Sequence, residues 1–185
     1  MKNYKLALVG ATGVVGRIAR EVLEEKKLPI SEYVFLASSK SAGTEIEFMG
    51  KKYIVKELKE DSFDEGFDFA IFSAGGETSK KYAPIAAQKG CVVVDNSSAF
   101  RMDPEVPLIV PEVNPEKIKE NKGIIANPNC STIQAVVALK PLDDKFKIKR
   151  VVQWNTTLHT KYLSPLTFLM ILCTSSNSWL PNSWF

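Results

Sequence analysis

The stretch KLALVGATGVVG, residues 5–16, constrains the fold more than any other part of the chain. Residues 5–9 read as a short buried strand, and Gly10, Gly13 and Gly16 make a GxxGxxG turn. Residues 14–27 carry a helical pattern that Pro29 stops, and residues 33–37 (YVFLA) supply the next apolar strand. Strand, glycine turn, helix and strand in that order form a βαβ unit, whose two strands lie parallel because the helix returns the chain to its starting edge. The unit recurs. Residues 67–73 (FDFAIFS) and 91–95 (CVVVD) bracket a helix expected at 79–89, and weaker strands at 124–126 and 148–152 flank a helix that follows Cys130. This alternation predicts an α/β fold with a doubly wound, mostly parallel sheet.

Length and composition narrow the field. The 185 residues allow one sizeable core and are short for two, and the 45% hydrophobic and 24% charged content is that of a soluble globular protein. A net charge of +3 without a basic run gives no reason to expect a nucleic-acid partner. The most apolar stretch, residues 163–173, is broken by Ser164, Pro165 and Thr167 and falls short of the ~20 residues a membrane span needs. Cys91, Cys130 and Cys173 are odd in number and lack CxxC spacing, so they read as reduced thiols; the N-terminus enters a strand without a leader pattern. The expectation is a cytoplasmic protein that binds neither a membrane nor a metal ion.

A glycine-punctuated turn between a strand and a helix allows tight reversal and close approach of backbone N–H groups to a pyrophosphate, whose charge the helix N-terminus favours. Gly10, Thr12, Gly13, Val14, Val15 and Gly16 are therefore candidate cofactor contacts, although such a pattern also serves as a plain turn. The end of the second strand selects the dinucleotide. An NAD site commonly places an acid there for the ribose hydroxyls. This chain reads Ser38, Ser39, Lys40, Ser41 and Ala42, with no acid before Glu45. Hydroxyls and a cation suit a 2′-phosphate, hence NADP; the bland reading is a solvated polar loop. Ser73, Gly75 and Gly76 follow another parallel strand, where open α/β sheets receive ligands.

The segment IIANPNCSTIQAVVAL places Cys130 between an Asn-Pro-Asn turn and an apolar helix. Helix N-termini stabilise anions, so a thiol there is poised toward the reactive thiolate. The alternative is a cysteine that merely tolerates a helix start. Asn127 and Asn129 are expected to fix the turn through their side chains. Arg101, in DNSSAFRM, suits a phosphate or carboxylate; pairing with Asp103 is the competing role. From Trp154 onward the chain has no Asp or Glu, one Lys, its only His (His159) and all three Trp, so residues 1–152 and 153–185 are taken as separate parts. The second part reads as a truncated or out-of-frame ending or as an unusual lobe.

GATGVVG, LASSKSAG, FSAGG, DNSSAFRM, VPEVN and NPNCST, in this order, resemble aspartate-β-semialdehyde dehydrogenase across residues 4–152. The resemblance implies a Rossmann-type NADP-binding domain and reductive dephosphorylation of β-aspartyl phosphate to aspartate-β-semialdehyde, a step toward lysine, threonine and methionine. By motif, Cys130 would form a thioester, Asn129 would orient its surroundings, and Arg101 would hold the phosphate. Lys40, Ser41 and Ala42 would lie near the 2′-phosphate. The family's second α+β domain, which supplies the dimer interface, a substrate arginine and an acid/base histidine, has no counterpart after Val152, and His159 stands in no matching motif. An incomplete form with little activity is therefore expected, with a non-catalytic NADP-binding module as the alternative. N-acetyl-γ-glutamyl-phosphate reductase fits less well, because Asn129 stands where that family has glycine.

Overall fold

The computed structural model describes residues 4–156 and 166–172. The chain divides into two compact units between Asn129 and Cys130. The first runs β1 (Tyr4–Val9), α1 (Val14–Lys26), β2 (Ile30–Ala37), β3 (Glu45–Phe48), β4 (Lys51–Ile54), β5 (Lys56–Glu57), β6 (Phe69–Phe72), α2 (Gly76–Gln88), β7 (Val92–Asp95) and β8 (Ile124–Ala126). Six of these strands form one sheet in the order β5-β2-β1-β6-β7-β8, and every neighbouring pair is parallel. Numbered along the chain within this sheet, that order is 3-2-1-4-5-6, and it reverses between β1 and β6. At such a reversal the connections leave toward opposite faces and open a crevice at the carboxyl ends of the strands.

The alternation along each strand explains the layers. In β1, Ala7 and Val9 point to one face, where they pack with Val34, Leu36, Ala70, Phe72 and with Ala83 and Ala86 of α2. Leu6 and Leu8 point to the other, with Phe35, Ala37 and Leu23 of α1. A strand covered on both faces has no polar side to show, which is why β1 and β2 read as continuous apolar runs.

The β3–β4 hairpin was not expected from the sequence. Phe48 pairs with Lys51 across a two-residue turn, Met49–Gly50, with φ of 51° and 69°. Positive φ at both central residues is the type I′ requirement, usually met by Asn-Gly; Met-Gly carries no such signal. The hairpin is anchored by Phe48, which is buried edge-on against Tyr33 and Phe35 at ring-centroid distances of 4.8 and 5.3 Å.

The second unit comprises α3 (Cys130–Phe146), β9 (Arg150–Thr156) and β10 (Leu166–Leu172). The helix after Cys130 runs through Pro141. β9 and β10 are antiparallel, in register from Thr156↔Leu166 to Arg150↔Leu172. The compositional change after Val152 thus falls inside β9. His159 and Cys173 lie outside the described residues. No helix among the described residues is long and apolar enough to cross a membrane.

Candidate dinucleotide cavity and anion site

The carboxyl ends of β1, β2, β5 and β6 surround a cavity of about 580 Å³, within the range of small-molecule and cofactor sites. Val9, Gly10, Thr12 and Gly13 form one wall. Ala37, Ser38 and Ser39 come from the end of β2, Glu57 and Leu58 from β5, and Ser73 and Ala74 from β6; Thr78 and Tyr82 reach in from α2. Gly10 donates its N–H to the Leu36 carbonyl at 2.8 Å, and Ser73 donates to Val9 at 2.9 Å, so the turn is stitched to both neighbouring strands.

The three glycines of the turn have different jobs. Gly10 has φ +84°, and a Cβ there would fall 2.5 Å from the Ser73 carbonyl oxygen. Gly16 has ordinary helical geometry, but its Cβ would fall 2.1 Å from the Gly10 carbonyl oxygen, so α1 packs on the turn only without a side chain. Gly13, the residue preceding α1, meets only the Gly10 oxygen at 3.4 Å and leaves its cavity side open. Beyond it, the first backbone N–H groups of α1 have no acceptor within the helix. A cavity with hydroxyls, an open glycine and a helix N-terminus fits a dinucleotide with its pyrophosphate on the turn.

Arg101 follows β7 and is held by backbone. Its Nε donates to the Asn127 carbonyl and its Nη2 to the Asn96 carbonyl, both at 2.9 Å. These carbonyls belong to residues just past the ends of β8 and β7, and the ends are themselves tied: the Asn127 N–H donates to the Asp95 carbonyl at 2.8 Å, and Asn127 Nδ2 donates to Asn96 Oδ1 at 2.7 Å. The guanidinium keeps Nη1 without a partner among the described residues. A planar cation clamped on one edge presents its other edge to an anion. Asp103, the competing partner, instead accepts the Glu105 N–H at 2.9 Å.

Residues 5–121 match the family described as semialdehyde dehydrogenase, NAD binding domain. The chain belongs to the semialdehyde dehydrogenase family. It is 60% identical over 152 residues to an aspartate-semialdehyde dehydrogenase of Aquifex aeolicus, covering 81% of this chain and 45% of that protein. It is 58% identical over 153 residues to that of Campylobacter jejuni, again 81% and 45%. Among solved structures, the Vibrio cholerae aspartate semialdehyde dehydrogenase II complexed with ASA superposes with a TM-score of 0.78 at 51% identity, over 81% of this chain and 49% of that one. The Candida albicans enzyme with NADP superposes with a TM-score of 0.68 at 27% identity, over 84% and 51%. The chain spans about half the length of the curated relatives it matches.

Within this semialdehyde dehydrogenase domain, the cavity gathers five of the residues expected at a cofactor: Gly10, Thr12, Gly13, Ser38 and Ser73. Others stand apart from its lining. Val14 and Val15 head α1 with exposed side chains, and Gly16 is buried under the turn. Lys40 is exposed on a tight turn in which Ser41 and Ala42 both donate to the Ser38 carbonyl, at 2.9 and 3.0 Å. Gly75, with φ +88°, precedes α2, and Gly76 begins it. Asn127 bonds across to Asn96 rather than within its own turn. Cys130 is exposed as the first residue of α3, and Asn129 before it is exposed as well. By contrast Cys91 is buried, as its place in an apolar run implied.

The sequence reading missed Thr78 and Tyr82, which reach the cavity only because a helix turn separates them on one face of α2. It also missed Glu57. That acid arrives from β5, twenty positions beyond the end of the second strand, and pairs with Lys59 at 3.1 Å. The strand β5 is two residues long and has no apolar run to announce it.

Proposed function

We propose that this chain forms the NADP-binding and nucleophile-bearing part of an aspartate-β-semialdehyde dehydrogenase, converting β-aspartyl phosphate to aspartate-β-semialdehyde in the cytoplasm. The observation that carries the reading is the cavity at the β1/β6 reversal, built from the glycine turn and strand-end serines in a chain 60% identical to such an enzyme over 152 residues. Ser38 and Ser39 favour NADP, since hydroxyls can donate to a 2′-phosphate. The one acid in the lining, Glu57, already carries the Lys59 cation beside it. Lys40, Ser41 and Ala42 would approach the phosphate from the rim.

In this reading Cys130 attacks the acyl carbon of β-aspartyl phosphate; the new C–S bond replaces the C–O bond to phosphate, and inorganic phosphate leaves. Arg101 Nη1 holds the phosphoryl oxygens before and after that break, in the way a fixed guanidinium stabilises developing charge. Asn129 orients the groups around the sulfur. NADPH, when bound, supplies the hydride that turns the thioester into the aldehyde and frees the thiolate. Residues 1–152 contain no histidine. General acid/base catalysis typically contributes 10²- to 10⁴-fold in rate, and slow turnover is expected from these residues.

The test is phosphate-dependent oxidation of aspartate semialdehyde with NADP, read beside calorimetric titration of NADP and NAD. Tighter NADP than NAD binding, slow turnover and loss of that turnover in C130A are expected. NADP binding with no turnover at all, even at high enzyme concentration, would favour a non-catalytic nucleotide-binding module. No binding of either dinucleotide by folded protein would reject both.

A further inference from the structure

Two polar residues of the nucleotide-binding unit lie outside the roles given so far. Asp95, the last residue of β7, and Ser79, in the first turn of α2, are both fully buried. The Ser79 hydroxyl donates to Asp95 Oδ1 at 2.6 Å. Ser97 donates its N–H to the same oxygen at 3.2 Å and its hydroxyl to Oδ2 at 2.7 Å. Ser97 Oγ then accepts the Ala99 N–H at 3.0 Å. A buried carboxylate is costly unless its oxygens are occupied by donors. Here the donors come from two separate segments, and each segment leads to a different half of the site. Ser79 adjoins Thr78 and lies one turn before Tyr82, both lining the cavity. Ser97 and Ala99 sit in the loop between Asn96, whose carbonyl holds Arg101 Nη2, and Arg101 itself.

We infer that Asp95 is a positioning residue that ties the dinucleotide cavity to the Arg101 anion site, so that the two ligands bind cooperatively. The inference rests on the assignment of those two sites proposed above. A dinucleotide seated against Thr78 and Tyr82 orders the start of α2. Through the Ser79–Asp95–Ser97 chain, that order extends to the loop presenting Arg101. The second ligand then meets a loop already fixed, which is positive coupling without any large movement. The coupling is reciprocal, because linkage requires each ligand to favour the other by the same factor.

The experiment is a calorimetric titration of NADP into the chain with and without saturating inorganic phosphate. Phosphate is expected to tighten NADP binding about fivefold or more, and R101M should erase the effect while NADP still binds. S79A cuts the tie but leaves the Ser97 bonds and every cavity-lining residue in place. Its phosphate effect should shrink to within about twofold of none, with NADP affinity in the absence of phosphate little changed; S79T, which keeps the hydroxyl, should restore it. A merely structural Asp95 would lower thermal stability in S79A and leave the coupling factor alone. Should S79A lose its fold by circular dichroism, the same cycle on S97A cuts the other arm. Weaker or unchanged NADP binding on adding phosphate, or equal coupling in the parent and both serine variants, overturns the tie and leaves the dinucleotide assignment standing. Folded protein that binds no NADP overturns the assignment and the tie together.

Discussion

Two loops at the carboxyl edge of the same sheet are held in place by opposite means. The turn after β1 is held by what is missing: there is no room for a Cβ at Gly10 or Gly16. The loop after β7 is held by what is present, with Asp95, Asn96, Ser97, Arg101 and Asn127 joined by side-chain hydrogen bonds of 2.7–3.2 Å. A steric requirement is a local demand on residue type at a fixed spacing. A hydrogen-bonded loop is assembled from partners distant in the chain, such as Ser79 with Asp95 and Asn96 with Asn127. The first arrangement tolerates no side chain at Gly10 or Gly16 and needs no side-chain partner. The second fails gradually, one donor at a time.

Substitutions can break that contrast, and the largest effect belongs to the steric loop. Gly16→Ala gains helix propensity, yet its methyl lands within 2.1 Å of a backbone oxygen; a loss of about 3 kcal/mol or outright failure to fold is expected in urea denaturation. Near-native stability would mean the turn can open and the steric account is wrong. In the polar loop, Ser97→Ala removes one hydroxyl and leaves Asp95 Oδ2 short of a donor. That should cost about 1–3 kcal/mol by the same measurement, less than the glycine change.

The other end of β7 supplies a control in which a buried ionisable group has no such donors. Burial, aided by the charge of Asp68, pushes the Cys91 thiol up from 9.0 to about 12. The folded protein therefore keeps a proton that the unfolded chain releases. The contribution is fully present below about pH 9 and is lost as pH rises toward 12, by at most about 1.4 kcal/mol per pH unit. Cys91→Ala should flatten this alkaline decline relative to the parent, and identical slopes would contradict it. The smallest effect is expected for Gly13→Ala. Its φ is −70° and its nearest neighbour would be 3.4 Å away, so stability should change by only about 0.5 kcal/mol. A measurable loss of NADP affinity in the same variant would separate the glycine that faces the ligand from the two that shape the turn.

This contrast also marks what could be read from residues alone. The βαβ order, the doubly wound sheet and the glycine turn follow from apolar runs and fixed spacings, and the structure places them where those patterns put them. Arg101 was legible as an anion candidate. What was not legible was why it points where it does, since its two anchors are backbone carbonyls whose position depends on two different strands. Glu57, Thr78 and Tyr82 escaped notice for a similar reason: a two-residue strand and one face of a helix carry no motif until the sheet brings them together. The Met49–Gly50 hairpin shows the converse, a backbone shape obtained with a residue that rarely adopts it.

Every side chain and backbone group bordering the nucleotide cavity lies between Val9 and Tyr82, whereas the sulfur proposed as nucleophile comes 48 positions after Tyr82. During synthesis the whole cavity lining is thus spelled out well before the Cys130 thiol emerges. Inheritance can work on the two separately: drift around Cys130 leaves every residue of the cavity lining unchanged.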